Sequence, residues 1–112
     1  MNWIKLNSAE LADEVIHKSK MKPQIIFKHS TRCSISAMAF GRLRPGIPNV
    51  DYYLVDVIAH RDISNLITQK FNVSHQSPQL LIINMEKCVF DTSHFDISIA
   101  VMEREINLLQ QV

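Results

Sequence analysis

Hydrophobic and polar positions alternate between two periods along this chain, and the changes of period mark its elements. In "NSAELADEVIHKSK", Leu11, Val15 and Ile16 share a helical face behind Asn7, with Glu10 three residues on, which predicts a helix opened by a capping box. After Pro23, "QIIF" is a β-rich run long enough only for a buried strand. Helical spacing returns with Ile35, Ala39, Phe40 and Leu43, predicting a helix from Ser34 to about Leu43. Arg44-Pro45-Gly46-Ile47-Pro48 ends it, because two prolines and a glycine cannot continue a helix. "YYLVDV", Tyr52 to Val57, predicts a second strand, and Ile63, Leu66, Ile67 and Phe71 predict a third helix with one apolar face. Leu80 to Ile83 is a strand joined through "NMEK" to Cys88–Phe90 at the spacing of an antiparallel hairpin. Phe95, Ile99, Met102, Ile106 and Leu109 then recur at steps of four and three, the mark of a last helix.

The order is a βαβ unit followed by a ββα unit, which implies an α/β fold with a mixed central sheet and helices on both faces. A chain of 112 residues has room for one core, so residues 1–112 are expected to form a single domain. With 46% hydrophobic and 21% charged residues, disorder is not the expected state. The net charge of +1 and scattered basic residues, clustered only at Arg42 to Arg44, argue against nucleic acid as a partner. "MNWIKLNSAEL" lacks a secretory pattern and no apolar run approaches the ~20 residues of a membrane span, so no membrane association and a cytoplasmic location are expected.

Two cysteines, Cys33 and Cys88, do not make a disulfide framework and are expected to be free thiols in a reducing compartment. Cys33 lies in "FKHSTRCSIS", between a strand and a helix start. Such a position sets a sulfur against unpaired N–H groups and the positive end of the helix dipole, which favours the thiolate. Thr31 is the expected N-cap, Arg32 adds a cation, and Ser36, three residues on, is placed to donate its hydroxyl to the sulfur. A cysteine here either reacts or only packs; Cys88, in an apolar strand, is expected to pack.

A strand, a polar bridge, a cysteine opening a helix and a distant Ser77-Pro78 before a strand and hairpin resemble the thioredoxin fold from end to end. The resemblance implies a three-layer sandwich on a four- or five-stranded mixed sheet and a cis Ser77–Pro78 bond. It further implies that Pro78 faces the cysteine, that the Ser77 backbone pairs with the substrate, and that Gly41 marks a helix bend. Thioredoxins carry a second cysteine at the position of Ser36 and a buried acid at that of Phe27. Losing both points to one-thiol exchange.

"IIFKHSTRCSIS", "SPQLLIIN" and "SHFDI" together are similar to the monothiol bacilliredoxins of the YtxJ type over almost the whole chain. That resemblance implies a monothiol disulfide reductase that removes bacillithiol, or another low-molecular-weight thiol, from S-thiolated client proteins. Cys33 and Ser36 would be catalytic, and Thr31, Arg32, Ser34, Ser77 and Pro78 would meet the substrate. The small thiol is then a co-substrate, and either it or a reductase regenerates Cys33. Many members have T-C-P-I-S where this chain has Arg32-Cys33-Ser34-Ile35-Ser36, which leaves the small thiol open. His29 is a base or a satisfied polar residue, and Lys28 a cleft cation or a solvated surface charge. Without paired C-x-x-C or H-x-x-x-H motifs, no metal is expected. The other functional classes are a non-catalytic binding module and a redox sensor modified at Cys33.

Overall fold

The computed structural model describes residues 3–44 and 46–110, so Pro45 of the predicted helix stop lies outside them. Five strands, β1 (Ile4–Lys5), β2 (Gln24–His29), β3 (Asp51–Asp56), β4 (Gln79–Asn84) and β5 (Lys87–Ser93), form one sheet in the order β1-β3-β2-β4-β5. β1 and β2 each run parallel to β3, whereas β4 is antiparallel to β2 and to β5. Helices α1 (Ala9–Lys18) and α3 (Arg61–Phe71) accompany one core, and α2 (Ser34–Arg42) and α4 (Ile99–Gln110) the other. Among the described residues no helix is long and apolar enough to cross a membrane.

The pleat explains the two cores. Ile26 of β2 and Leu81 and Ile83 of β4 join Val15, Ile63 and Ile67 on the α1/α3 face. Ile25, Phe27, Leu80 and Ile82 join Ala39, Met102 and Ile106 on the α2/α4 face. Strands buried on both faces need apolar side chains at successive positions, which is why "IIF" and "LLII" show no alternation. Both strands outrun those apolar runs. Gln24, Lys28 and Gln79 are fully buried polar residues inside them, held by tertiary hydrogen bonds that hydrophobicity alone does not reveal.

Local chemistry sets the ends of the elements. α1 is capped by Ser8, whose hydroxyl accepts from the Leu11 N–H at 3.1 Å, and not by Asn7 as expected. β1 escapes detection in the sequence because it has only two residues. The hairpin turns through Met85 and Glu86, both with left-handed φ (51° and 68°), a conformation non-glycine residues adopt at a cost. Ser19, buried at the end of α1, holds that turn: its carbonyl accepts from the Met85 N–H (2.9 Å) and its hydroxyl from the Glu86 N–H (2.9 Å). Gly41 lies in the last turn of α2, one residue before the helix ends. A Cβ there would meet open space and its φ is not positive, so neither a close approach nor a left-handed turn requires glycine at this position. The Arg44 guanidinium instead donates to the Gly41 carbonyl at 2.8 Å, completing the helix end.

The last helix begins later than its periodicity suggests. His94–Asp96 form a single 3-10 turn entered through a left-handed His94, and α4 starts only at Ile99. Phe95 is therefore 67% exposed while Ile97 is fully buried in the α2/α4 core. Truncation separates the two positions. Ile97→Ala is expected to cost about 2–5 kcal/mol in urea unfolding, and Phe95→Ala to stay within about 0.5 kcal/mol.

Candidate active site

The two segments singled out by the sequence meet at one end of the sheet. β2 and β4 are antiparallel with Lys28 opposite Gln79, so the exit of β2 toward Cys33 lies beside the entry to β4 from Ser77 and Pro78. The Ser77–Pro78 bond is cis. The Pro78 carbonyl accepts from the His94 N–H at 3.1 Å, and the His94–Asp96 turn packs on α2.

Cys33 is itself the N-cap of α2; Thr31, the expected cap, lies exposed in the preceding turn. The turn is closed by the Cys33 N–H on the Ser30 carbonyl (3.2 Å), and the Cys33 carbonyl accepts the first helical bond from Ala37 (3.0 Å). The half-buried sulfur stands where a capping oxygen normally stands, yet makes no cap hydrogen bond. α2 has no acidic residue in its first turn, so no other anion competes there for the helix dipole. Arg32 and Ser34 are exposed on either side.

Ser36 is fully buried and turned away from the role expected of it. Its Oγ accepts from the Ser30 N–H at 3.0 Å and lies 2.7 Å from His29 Nδ1. No other acceptor hydrogen-bonds this hydroxyl among the described residues, so its proton is assigned to Nδ1 rather than to sulfur. Burial lowers the His29 pKa, and the charge of Asp56 offsets part of that. The neutral imidazole is the form that can accept from Ser36. Its ring stacks on Phe40 (centroids 5.0 Å apart) and Phe27 (5.9 Å), so Phe27 contributes an aromatic wall where thioredoxins carry an acid.

Beside His29 opens a cavity of about 290 Å³, lined among others by Asn7, Thr31, Asp56 and His60. The Asp56 carboxylate accepts from the Ala59 and Ile58 N–H groups, both at 3.0 Å, which hold its pKa below the usual range against the effect of burial. Asp56 and His60 were not foreseen. The available signal was their place at and just after the carboxyl end of a parallel strand, where open α/β sheets put their ligands. Lys28 is neither a cleft cation nor a surface charge, for it is buried on the opposite face. Among the described residues no cluster of three or more His, Cys, Asp or Glu is placed to hold a metal ion.

A family model described as monothiol bacilliredoxin BrxC matches residues 4–102. The chain belongs to the monothiol bacilliredoxin family. A solved thioredoxin-fold protein is 32% identical, superposes with a TM-score of 0.80, and the match covers 90% of each chain. Malassezia sympodialis thioredoxin (17% identity, TM-score 0.71, 96% of this chain and 90% of that one) shares the fold. So does spinach chloroplast thioredoxin f (13%, 0.71, 96% and 93%). Bacilliredoxin membership and this fold assign the chain a thiol redox function of the oxidoreductase type, within the bacillithiol system.

The other thiol of this bacilliredoxin sits differently. Cys88 Sγ, half-buried in β5, lies 3.3 Å from the Phe90 carbonyl, and burial pushes its pKa up to about 11. Native protein treated with iodoacetamide at pH 7.5 is expected to take one label, on Cys33. Cys33→Ala should stay unlabelled until the pH nears 11 or the protein is denatured, as intact mass would show. Ser36→Ala strands the Ser30 N–H and His29 Nδ1, and should cost about 1–3 kcal/mol in urea unfolding.

Proposed function

We propose that the protein is a monothiol reductase that strips bacillithiol from mixed disulfides on client proteins, with Cys33 as its nucleophile. The observation that carries this reading is a half-buried thiol at the N-cap position of α2 in a chain whose second thiol position holds a buried, fully engaged serine. The Cys33 thiolate attacks the bacillithiol sulfur of a protein–bacillithiol disulfide. One S–S bond breaks as another forms, the client sulfur leaves as a thiolate that takes a proton from solvent, and Cys33 carries the bacillithiol. A second bacillithiol thiolate then attacks the bacillithiol sulfur on Cys33, giving bacillithiol disulfide and regenerating the enzyme. Ser36 cannot do this, because a hydroxyl does not exchange with a disulfide.

The remaining residues have supporting roles. His29 and Ser36 fix the turn from which Cys33 projects, so His29 is a positioning residue. Exposed Arg32 meets the carboxylates of the small thiol, with Thr31 and Ser34 on either side of the sulfur. The Ser77 backbone pairs with the client segment beside Pro78; among the described residues the Ser77 hydroxyl is buried and makes no hydrogen bond, so the pairing is given to the backbone alone.

Intact-mass measurement tests the reading. Reduced protein mixed with a model protein carrying one bacillithiolated cysteine should gain the bacillithiol mass on Cys33 while the model protein recovers its free thiol. Cys33→Ala should leave the adduct in place. Equal release by Cys33→Ala rejects the mechanism, and an adduct on Cys33 without recovery of the model thiol marks a sensor instead. The glutathione adduct run in parallel should react at least tenfold more slowly.

A further inference from the structure

Lys28 is fully buried with no carboxylate within ion-pairing distance among the described residues. Its three ammonium protons face three neutral acceptors: the Ser64 carbonyl at 3.1 Å, Thr68 Oγ1 at 2.8 Å and His75 Nδ1 at 3.2 Å. The first two belong to α3, and the third to the segment between α3 and Pro78. Opposite Lys28 in the sheet register, on the same face, lies Gln79, also fully buried. Its amide donates to the Ser74 carbonyl at 3.0 Å and its Oε1 accepts from the Gln76 N–H at 3.2 Å. A paired lysine and glutamine thus grip three successive residues, Ser74, His75 and Gln76, and the next is Ser77.

Polar groups placed this way are not what sheet stability asks for. An unpaired buried ammonium resists burial, as its lowered pKa of about 8 shows, and an apolar side chain would fill the same space without that penalty. What the pair provides is geometric. The segment from Asn72 to Gln76 is in neither helix nor strand: Gln79 bonds its backbone at Ser74 and Gln76, Lys28 holds its His75 side chain, and its start is set by the left-handed Asn72 cap of α3 and the Val73 N–H on the Thr68 carbonyl (3.3 Å).

We propose that Lys28 is a positioning residue for client recognition: with Gln79 it clamps residues 74–76 so that the Ser77 backbone is held ready to pair with the incoming mixed disulfide. This rests on the role given to Ser77 above. The clamp lies on the α1/α3 face, whereas Cys33, Ser36 and His29 belong to the α2 side, so it acts on the client and not on the reactivity of the thiol.

The test compares two substrates across Lys28→Met, His75→Ala and the double variant. One is the bacillithiolated model protein, which has a backbone to pair; the other is a small aromatic disulfide, which has none. Each single variant should raise KM for the protein substrate about tenfold, the equivalent of one lost hydrogen-bonded pairing, with kcat changed less than twofold. Turnover of the small disulfide should be unchanged. The double variant should be no worse than either single one, since both cut the same link. His75 is exposed, so His75→Ala reports even if Lys28→Met does not fold. An unchanged KM, an equal loss on both substrates, or multiplied effects in the double variant overturn the proposal. Amide hydrogen exchange separates the clamp from the reading it rests on. Faster exchange of the Gln76 amide, the one in residues 74–77 that donates a hydrogen bond, in either variant, with wild-type protein inactive on the client, keeps the clamp and removes only the role of Ser77; unchanged exchange there removes the clamp.

Discussion

The antiparallel pairing of β2 with β4 is the contact on which the rest of the molecule depends. It runs from Gln24 opposite Ile83 to Lys28 opposite Gln79, with both strands buried throughout that span. Each apolar side chain removed from water there contributes about 1.5–3 kcal/mol, and the pleat divides them between the two helix layers. Because the strands run in opposite directions, the place where one leaves the core is where the other enters it. The thiol segment and the proline segment, far apart in sequence, become neighbours as a result of that geometry.

Most of this architecture is legible in the pattern of residues, and each failure has its own physical cause. Uninterrupted apolar runs announce strands covered on both faces, and three-four spacing announces helices covered on one. Polarity at Lys28 and Gln79 hides the true ends of two strands, because their burial is compensated by partners on other elements that local pattern does not contain. Phe95 misleads in the opposite sense: it falls in phase with α4 but sits in a separate turn, and Ile97 fills the core in its place. A two-residue strand such as β1 has too little period to be recognised at all.

At the site, residue identity was more legible than contact. A lone cysteine between a strand and a helical period is visible in the sequence, as is the serine where a second thiol would stand. The hydrogen-bond partner of that serine is not, because it depends on which face of β2 carries His29 and on how tightly the Ser30 turn closes. The aromatic stack of Phe27, His29 and Phe40 likewise requires a strand and a helix to be placed together first. Asp56 and His60 come from a third segment that no short motif connects to Cys33.

The buried hydroxyl of Ser36 also bears on how such a protein could acquire or lose a second thiol. In the genetic code serine and cysteine are close neighbours, and a reversion looks trivial on paper. Within the fold the oxygen is bonded to a backbone amide and an imidazole at 3.0 Å and 2.7 Å, distances too short for sulfur, which is also a weak hydrogen-bonding partner. A thiol at that position would have to push the Ser30 turn and the His29 ring outward, disturbing the segment that presents Cys33. The one-thiol state is thus protected by packing, and a dithiol descendant would need compensating changes at Ser30 or His29 before the new sulfur could be accommodated.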